Sequence, residues 1–413
     1  MTQSVLGNIT LGFQPLWGRQ REMVGLQLTV DRASHATLVD APHLVRTLKE
    51  TWAETAPALQ LALRSPALLA DLLDRAPADA PPIEVPALWL SDDAALVRRV
   101  VTAADRGLRL IWQGDTAAPS EDLAPCFRRC LLALSPGQAV LALRSIRAAR
   151  ASGDAPRLDF SSPVRPDQIY EHVASRELAG HCLDQQGAFA LLGWPSEDVL
   201  QIWQHKSLPP AKRRLDRVIQ AIDEDRSLEA IEQILAQAPL VVYRFLSYVN
   251  SAAVGVRGRI ESVRSGIMML GYQAMRRWLL EYAQTASNDP DIIPVTESMV
   301  LRARVMEHVL DAGVEDSLRR EVYLCGLFSQ LDWLLGEPIG ALLNRLPLSP
   351  RIYEAIVLGQ GPYAATLQLA MALEQRDGAQ VLALCAENEL DVEDVNRALL
   401  RTLASIQVPH ERT

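Results

Sequence analysis

Cysteine and aromatic residues are scarce in this chain of 413 residues: five Cys in all, and Phe, Trp and Tyr together at 5%. The five cysteines (Cys126, Cys130, Cys182, Cys325 and Cys385) are scattered and odd in number. That suits buried thiols in a reducing compartment better than a disulfide framework. No run of about 18 apolar residues occurs, so no membrane-spanning helix is expected. The opening MTQSVLGNITLGFQPLW has neither the charged start nor the continuous apolar stretch of a signal peptide, and the cytoplasm is the expected location. Positive charge is also in deficit, with 41 Lys and Arg against 50 Asp and Glu for a net charge of -9. A protein that clamps phosphate backbones needs the opposite balance, so nucleic acid is not an expected partner. There is no G-x-G-x-x-G or Walker-type loop to cradle a nucleotide.

What is present is ordinary for a folded protein, 49% hydrophobic and 22% charged, over a length that allows two domains. The first half alternates β-like runs with helical ones. The strand candidates are 12–17, 25–30, 59–63, 87–90, 108–112, 140–143, 157–160 and 188–192; helical stretches fall at 43–54, 67–75, 94–105 and 121–134. Such alternation predicts a parallel sheet covered by helices. Eight candidates in about 200 residues suggest a (β/α) barrel at the short end of its size range, with helices shortened or missing. Pro209-Pro210 breaks the pattern. Beyond them, apolar residues recur at helical spacing (Leu215, Val218, Ile219 and Ile222; Leu228, Ile231 and Leu235). The expected fold class is thus α/β plus all-α, with a barrel-like domain over 1–205 and a helical domain over 206–413.

The segment LVVYRFLSYVNSAAVGVRGRIESVRSGIMMLGYQAMRRWLL, from Leu240 to Leu280, resembles the HDOD family, a branch of the HD phosphohydrolases. Asn250, Ser251 and Ala252, the Leu270-Gly271 pair and Trp278 stand where the family pattern expects them, and the resemblance covers roughly Pro209 to Leu358. Read physically, Val263, Ile267 and Leu270 form one apolar helix face, Gly271 ends that helix, and Asn250 is suited to bridging helix and loop backbone. HD enzymes use paired His and Asp to hold metal ions that activate water. The resemblance places that doublet at Ser329-Gln330, and neither residue replaces an imidazole plus a carboxylate. Asp332 is nearby, and His308 is the one histidine of this half before the C-terminal tail. HDOD domains lacking the ligands are regarded as interaction modules.

From Leu11 to about Pro195 the chain resembles the EAL phosphodiesterase domain, a (β/α)8 barrel that hydrolyses cyclic di-GMP. FQPLW at Phe13 to Trp17 looks like the family's first strand. The naming motif would fall in GLQLTVD, so that Gln27 stands for the metal-binding Glu and Asp31 for the phosphate-binding Arg. A carboxylate at Asp31 would repel a cyclic dinucleotide. In ADRGLRLIWQGD the metal-binding Asp-Asp pair reads Gln113-Gly114, and Asp115 comes one place late. Glu84 in PPIEVP resembles the family's strand glutamate, but alone it cannot assemble a metal pair.

Weaker signals are outweighed by bland readings. Cys126 and Cys130, at i and i+4, lack a second ligand pair for zinc. His181-Cys182 with His172 could imitate a Cys/His site but fits a structural segment better. The basic residues of Lys212 to Arg217 with Arg257, Arg259 and Arg264 fit a solvated helix face. The expected function is a non-catalytic signalling scaffold or regulator acting through protein contacts, in the cyclic-di-GMP, motility or biofilm setting that the resemblance implies. No enzyme activity, metal or cofactor is expected. One alternative is a non-catalytic receptor for cyclic di-GMP or another nucleotide, against which Asp31 counts. The other is a metal-dependent phosphohydrolase with ligands relocated to Asp332, Glu337 and His308.

Overall fold

The computed structural model describes residues 4–34, 39–115, 118–152, 161–203, 208–255, 258–310 and 315–407. Eight strands close into a barrel in chain order. They are β1 (Ile9–Trp17), β2 (Met23–Arg32), β3 (Ala58–Leu63), β4 (Ile83–Pro86), β5 (Leu110–Gly114), β6 (Phe127–Ala133), β7 (Ile169–Glu171) and β8 (Ala190–Leu192). Neighbours from β2 to β8 pair in parallel, whereas β1 is antiparallel to both β2 and β8. The short connection at 18–22 dictates this reversal, because parallel strands need a long crossover. Its turn is closed by Gly18 N–H donating to the Glu22 carbonyl at 2.9 Å, with Arg21 in left-handed backbone (φ 61°).

Side chains alternate across each strand. Gln27 reaches across the interior to β4, so Leu26, Leu28 and Val30 take the opposite face of β2; all three are buried. One end of the interior is filled by Leu16, Ile111, Leu131, Ile169, Ala190 and Leu192. Helices α1 (Ala41–Thr51), α2 (Pro66–Arg75), α3 (Ala87–Leu90), α4 (Ala94–Asp105), α5 (Pro136–Ser152) and α6 (Arg176–Gly180) connect the strands. Their starts follow capping chemistry: Asp93 accepts from Ala95 N and Leu96 N at 2.9 Å, and Ser175 from Leu178 N at 3.2 Å. In α2, Leu68, Leu69, Leu72 and Leu73 make one buried stripe.

Several sequence expectations need correction here. Residues 87–90 form the helical turn α3, and the strand is the preceding Ile83–Pro86. Residues 140–143 lie inside α5. The 121–134 stretch is not a helix: it carries a short turn at Ala124–Cys126 and then β6. Short apolar runs do not separate strand from helix by periodicity alone. Cys126 and Cys130 therefore share no helix face. The 157–160 strand candidate lies outside the described residues.

By internal contacts the chain divides into Met1–Pro195 with Met371–Thr413, and Ser196–Ala370. These limits differ from the expected 1–205 and 206–413. The second unit contains α7 (Ser196–Gln201), α8 (Lys212–Asp223), α9 (Leu228–Ala236), α10 (Pro239–Val249), α11 (Val263–Leu270), α12 (Tyr272–Ala283), α13 (Ile292–Val309), α14 (Asp316–Phe328), α15 (Leu331–Leu335), α16 (Ile339–Leu343) and α17 (Pro350–Tyr353). Pro239 occupies the first turn of α10, and Ser227 caps α9 through Ala230 N. Helix α18 (Ala364–Gln375) contains the division at 370/371; α19 (Gly378–Glu387) and α20 (Val392–Ala404) pack on β1. Fully buried Asn396 fixes α20 there: its Nδ2 donates to the carbonyls of Leu6 and Ile9, both at 2.8 Å, and its Oδ1 accepts from Leu11 N at 3.1 Å. No helix among the described residues is long and apolar enough to cross a membrane.

Candidate functional site

The polar centre of the barrel is built on β2, β3 and β4. Gln27, Gln60 and Glu84 face inward and are all buried. Gln27 Nε2 donates to Glu84 Oε1 at 2.7 Å and to Oε2 at 3.0 Å, and Gln60 Nε2 donates to Oε1 at 2.8 Å. The fourth member comes from the distant C-terminal segment: Arg376 Nη1 donates to Gln27 Oε1 at 2.6 Å. The amide of Gln27 has one orientation that serves both neighbours, since a guanidinium only donates and must meet its oxygen.

Burial pushes the Glu84 carboxyl up from 4.5 to about 7; the bonds from Gln27 and Gln60 counter it, Glu171 adds to it and Arg376 opposes it. Burial likewise pulls the Arg376 guanidinium down, with Arg64 in the same direction and Glu171 and Glu84 against. The raised carboxyl has a consequence for stability. An unfolded Glu84 titrates near its ordinary value and the folded one near 7, so folding takes up a proton between these. The associated stability is complete below about pH 4.5 and is lost as pH rises through about 7, by up to about 3 kcal/mol. Glu84→Gln should therefore show an advantage over the wild type that grows from pH 5 to pH 8 in thermal melts. A difference that stays constant across that range would refute this.

The centre does not fit a divalent cation. Two amides direct N–H donors at the single carboxylate, and the remaining partner is itself a cation, whereas magnesium or calcium needs several oxygen acceptors. Among the described residues no three His, Cys, Asp or Glu side chains gather as a metal-holding group. Gln113 is half-buried and shares the inward side of β5 with Ile111 by alternation. Gly114 follows, where an added Cβ would lie 2.9 Å from Trp112 Nε1. Asp115 is exposed beyond the strand. Asp31, near the end of β2, accepts from Arg32 N at 2.8 Å.

In the helical unit, a guanidinium again stands at the place that the HD resemblance assigns to metal ligands. Ser329 Oγ donates to the Gly326 carbonyl at 2.8 Å and accepts from Arg302 Nη1, on α13, at 3.1 Å; Arg302 is buried and Gln330 half-buried. The three residues weighed as relocated ligands do not converge. His308 Nδ1 bonds the Arg304 carbonyl at 2.9 Å, Glu337 pairs with Arg345, and Asp332 is half-buried with its carboxyl raised by burial.

Asn250, at the end of α10, donates to the Leu246 and Ile260 carbonyls at 2.8 and 2.9 Å and accepts from Ile260 N at 2.9 Å. Ser251 Oγ beside it is buried, with no hydrogen-bond partner among the described residues. Gly271 takes a positive φ of 78° between α11 and α12, which suits glycine, and Leu270 before it is half-buried. Trp278 stacks between Tyr248 and Tyr282 at 5.6 and 5.4 Å. Of the basic residues, Arg214 pairs with Glu297 and Arg264 with Glu229 and Glu232; Arg257 lies outside the described residues. His181 and Cys182 are buried; His181 bonds Ser162 Oγ at 2.8 Å through Nε2 and Gln185 Oε1 at 2.7 Å through Nδ1. This series of bonds has the order of a nucleophile, base and orienter, but Ser162 is buried.

Residues 207–336 match the family model of the HDOD domain, so this stretch is an HDOD domain. Two curated relatives align with the chain at 26% identity: YuxH of Bacillus subtilis, over 44% of each chain, and the cyclic di-GMP phosphodiesterase CdgJ of Vibrio cholerae, over 41% of this chain and 39% of its own. The chain spans less than half the length of either. The MmoQ response regulator of Methylococcus capsulatus aligns at 21% identity and a TM-score of 0.40, over 47% of this chain and 98% of its own.

Proposed function

We propose that the chain is a non-catalytic signal-transduction protein, a degenerate EAL-type barrel joined to an HDOD module, that acts through contacts with other proteins in a cyclic-di-GMP-related pathway. The observation that carries this reading is the barrel centre, where Gln27, Gln60 and Arg376 surround the lone buried Glu84. Metal-assisted hydrolysis requires an ion that lowers the pKa of bound water, and this donor set repels one. The Arg302–Ser329 pair in the helical unit supports the same reading. The placement in a cyclic-di-GMP-related pathway draws on the likeness to CdgJ, a cyclic di-GMP phosphodiesterase.

The test is incubation of the purified chain with cyclic di-GMP and either magnesium or manganese, followed by separation of nucleotides. Product formation no faster than in buffer is expected; metal-dependent turnover would overthrow the proposal. Calorimetry with micromolar cyclic di-GMP should give no binding heat, because Asp31 adds negative charge beside the incoming phosphates. Saturable heat there would favour a receptor instead.

A further inference from the structure

The barrel centre holds a cation that the chain itself supplies, and the joint delivering it is shaped at every step. Arg376 lies directly after α18 in left-handed backbone, φ 60°, a conformation that a side-chain-bearing residue adopts at some cost. Its backbone rests on β1 at Gly12, where an added Cβ would come within 2.7 Å of the Arg376 Cα. Two residues on, Gly378 leaves the space in which a Cβ would meet Thr10 Oγ1 at 2.5 Å. Asp377 between them caps α19 by accepting from Gln380 N at 3.0 Å. The guanidinium then reaches Gln27 at 2.6 Å, and Glu84 and Glu171 favour its charge. Its Nε is buried with no partner among the described residues, an arrangement that tail packing alone does not require.

From these observations we infer that the polar centre of the barrel is a guanidinium-binding site, filled in cis by Arg376, and that this occupancy locks Met371–Thr413 onto the barrel. The ligand class follows from the chemistry: the Gln27 amide oxygen accepts from a donor-only planar group, with the buried Glu84 and half-buried Glu171 favouring positive charge.

Chemical rescue in the full chain tests it. Arg376→Ala should lower the melting temperature and speed proteolytic cleavage within 371–413 by about ten- to a hundredfold, the span expected when a charge-assisted bond is lost and cleavage follows the opened population. Millimolar ethylguanidinium should restore at least half of that protection, and ethylammonium or urea at the same concentration should not. The double variant Gln27→Leu with Arg376→Ala should show no rescue. Unchanged tail protection in R376A, equal recovery with ethylammonium, or rescue that survives loss of Gln27 would each overturn the inference. If R376A does not fold, Arg376→Met, which keeps the packing of the side-chain stem, carries the same comparison.

Discussion

Replacing Asn396 with alanine is expected to cost about 4 kcal/mol and to lower the melting temperature by roughly 10 °C. The side chain is fully buried and makes three hydrogen bonds, all to the backbone of residues 6–11. Each net bond is worth about 1 kcal/mol, and a buried polar group left without a partner adds about 1–3 kcal/mol. For a unit of this size each kcal/mol shifts the midpoint by about 2–4 °C. Asn396→Asp should be nearly as damaging, since it removes both donated bonds and buries a charge. Thermal and urea unfolding followed by circular dichroism would check this. A loss below about 1 kcal/mol would show that α20 does not hold the first strand in place.

Gly326→Ala should be the most damaging single methyl group in the helical unit. Gly326 lies on α14 against α13, and an added Cβ would stand 2.6 Å from the Ala303 Cα and 2.9 Å from Met306 Sδ. The methionine can move; the backbone of α13 cannot do so cheaply. Overpacking of this kind costs about 1–3 kcal/mol, and Gly326 also positions its carbonyl for Ser329. A loss of about 3 kcal/mol is expected in urea unfolding, partly relieved by Met306→Ala. A neutral G326A would mean that the two helices separate readily.

The sequence made the helical half legible residue by residue because its signals are local. Periodicity located α8 and α9, and Gly271 marked a helix end. In the barrel, β1, β2, β3, β5 and β8 were approximated, whereas β4 was shifted and β6 was mistaken for a helix. The three-residue β7 was missed altogether. β4 and β7 are too short to show alternation, and the charged pair Arg128-Arg129 breaks it in β6.

Gln27 and Glu84 could be singled out from motif-like strands, but the remaining partners could not. Gln60 sits among leucines in β3, and Arg376 lies 349 positions from the residue it bonds. No spacing rule joins residues that far apart. What signal there was, a lone Arg-Asp-Gly between two helical runs, reads as an ordinary turn. The same distance hid the assignment of Met371–Thr413 to the barrel, because composition describes a helix and not what it packs on.

That topology makes the HDOD-containing segment an insertion into the sequence of the barrel unit. All eight strands of the barrel precede residue 193, but the α19 and α20 helices that cover β1 follow residue 370, so residues 196–370 leave the ribosome before that cover does. Synthesis from the N-terminus thus lets the helical module mature while β1 waits without its covering helices. A truncation at residue 205, the natural place to cut by composition, would strip β1 of α19, α20 and the bonds from Asn396.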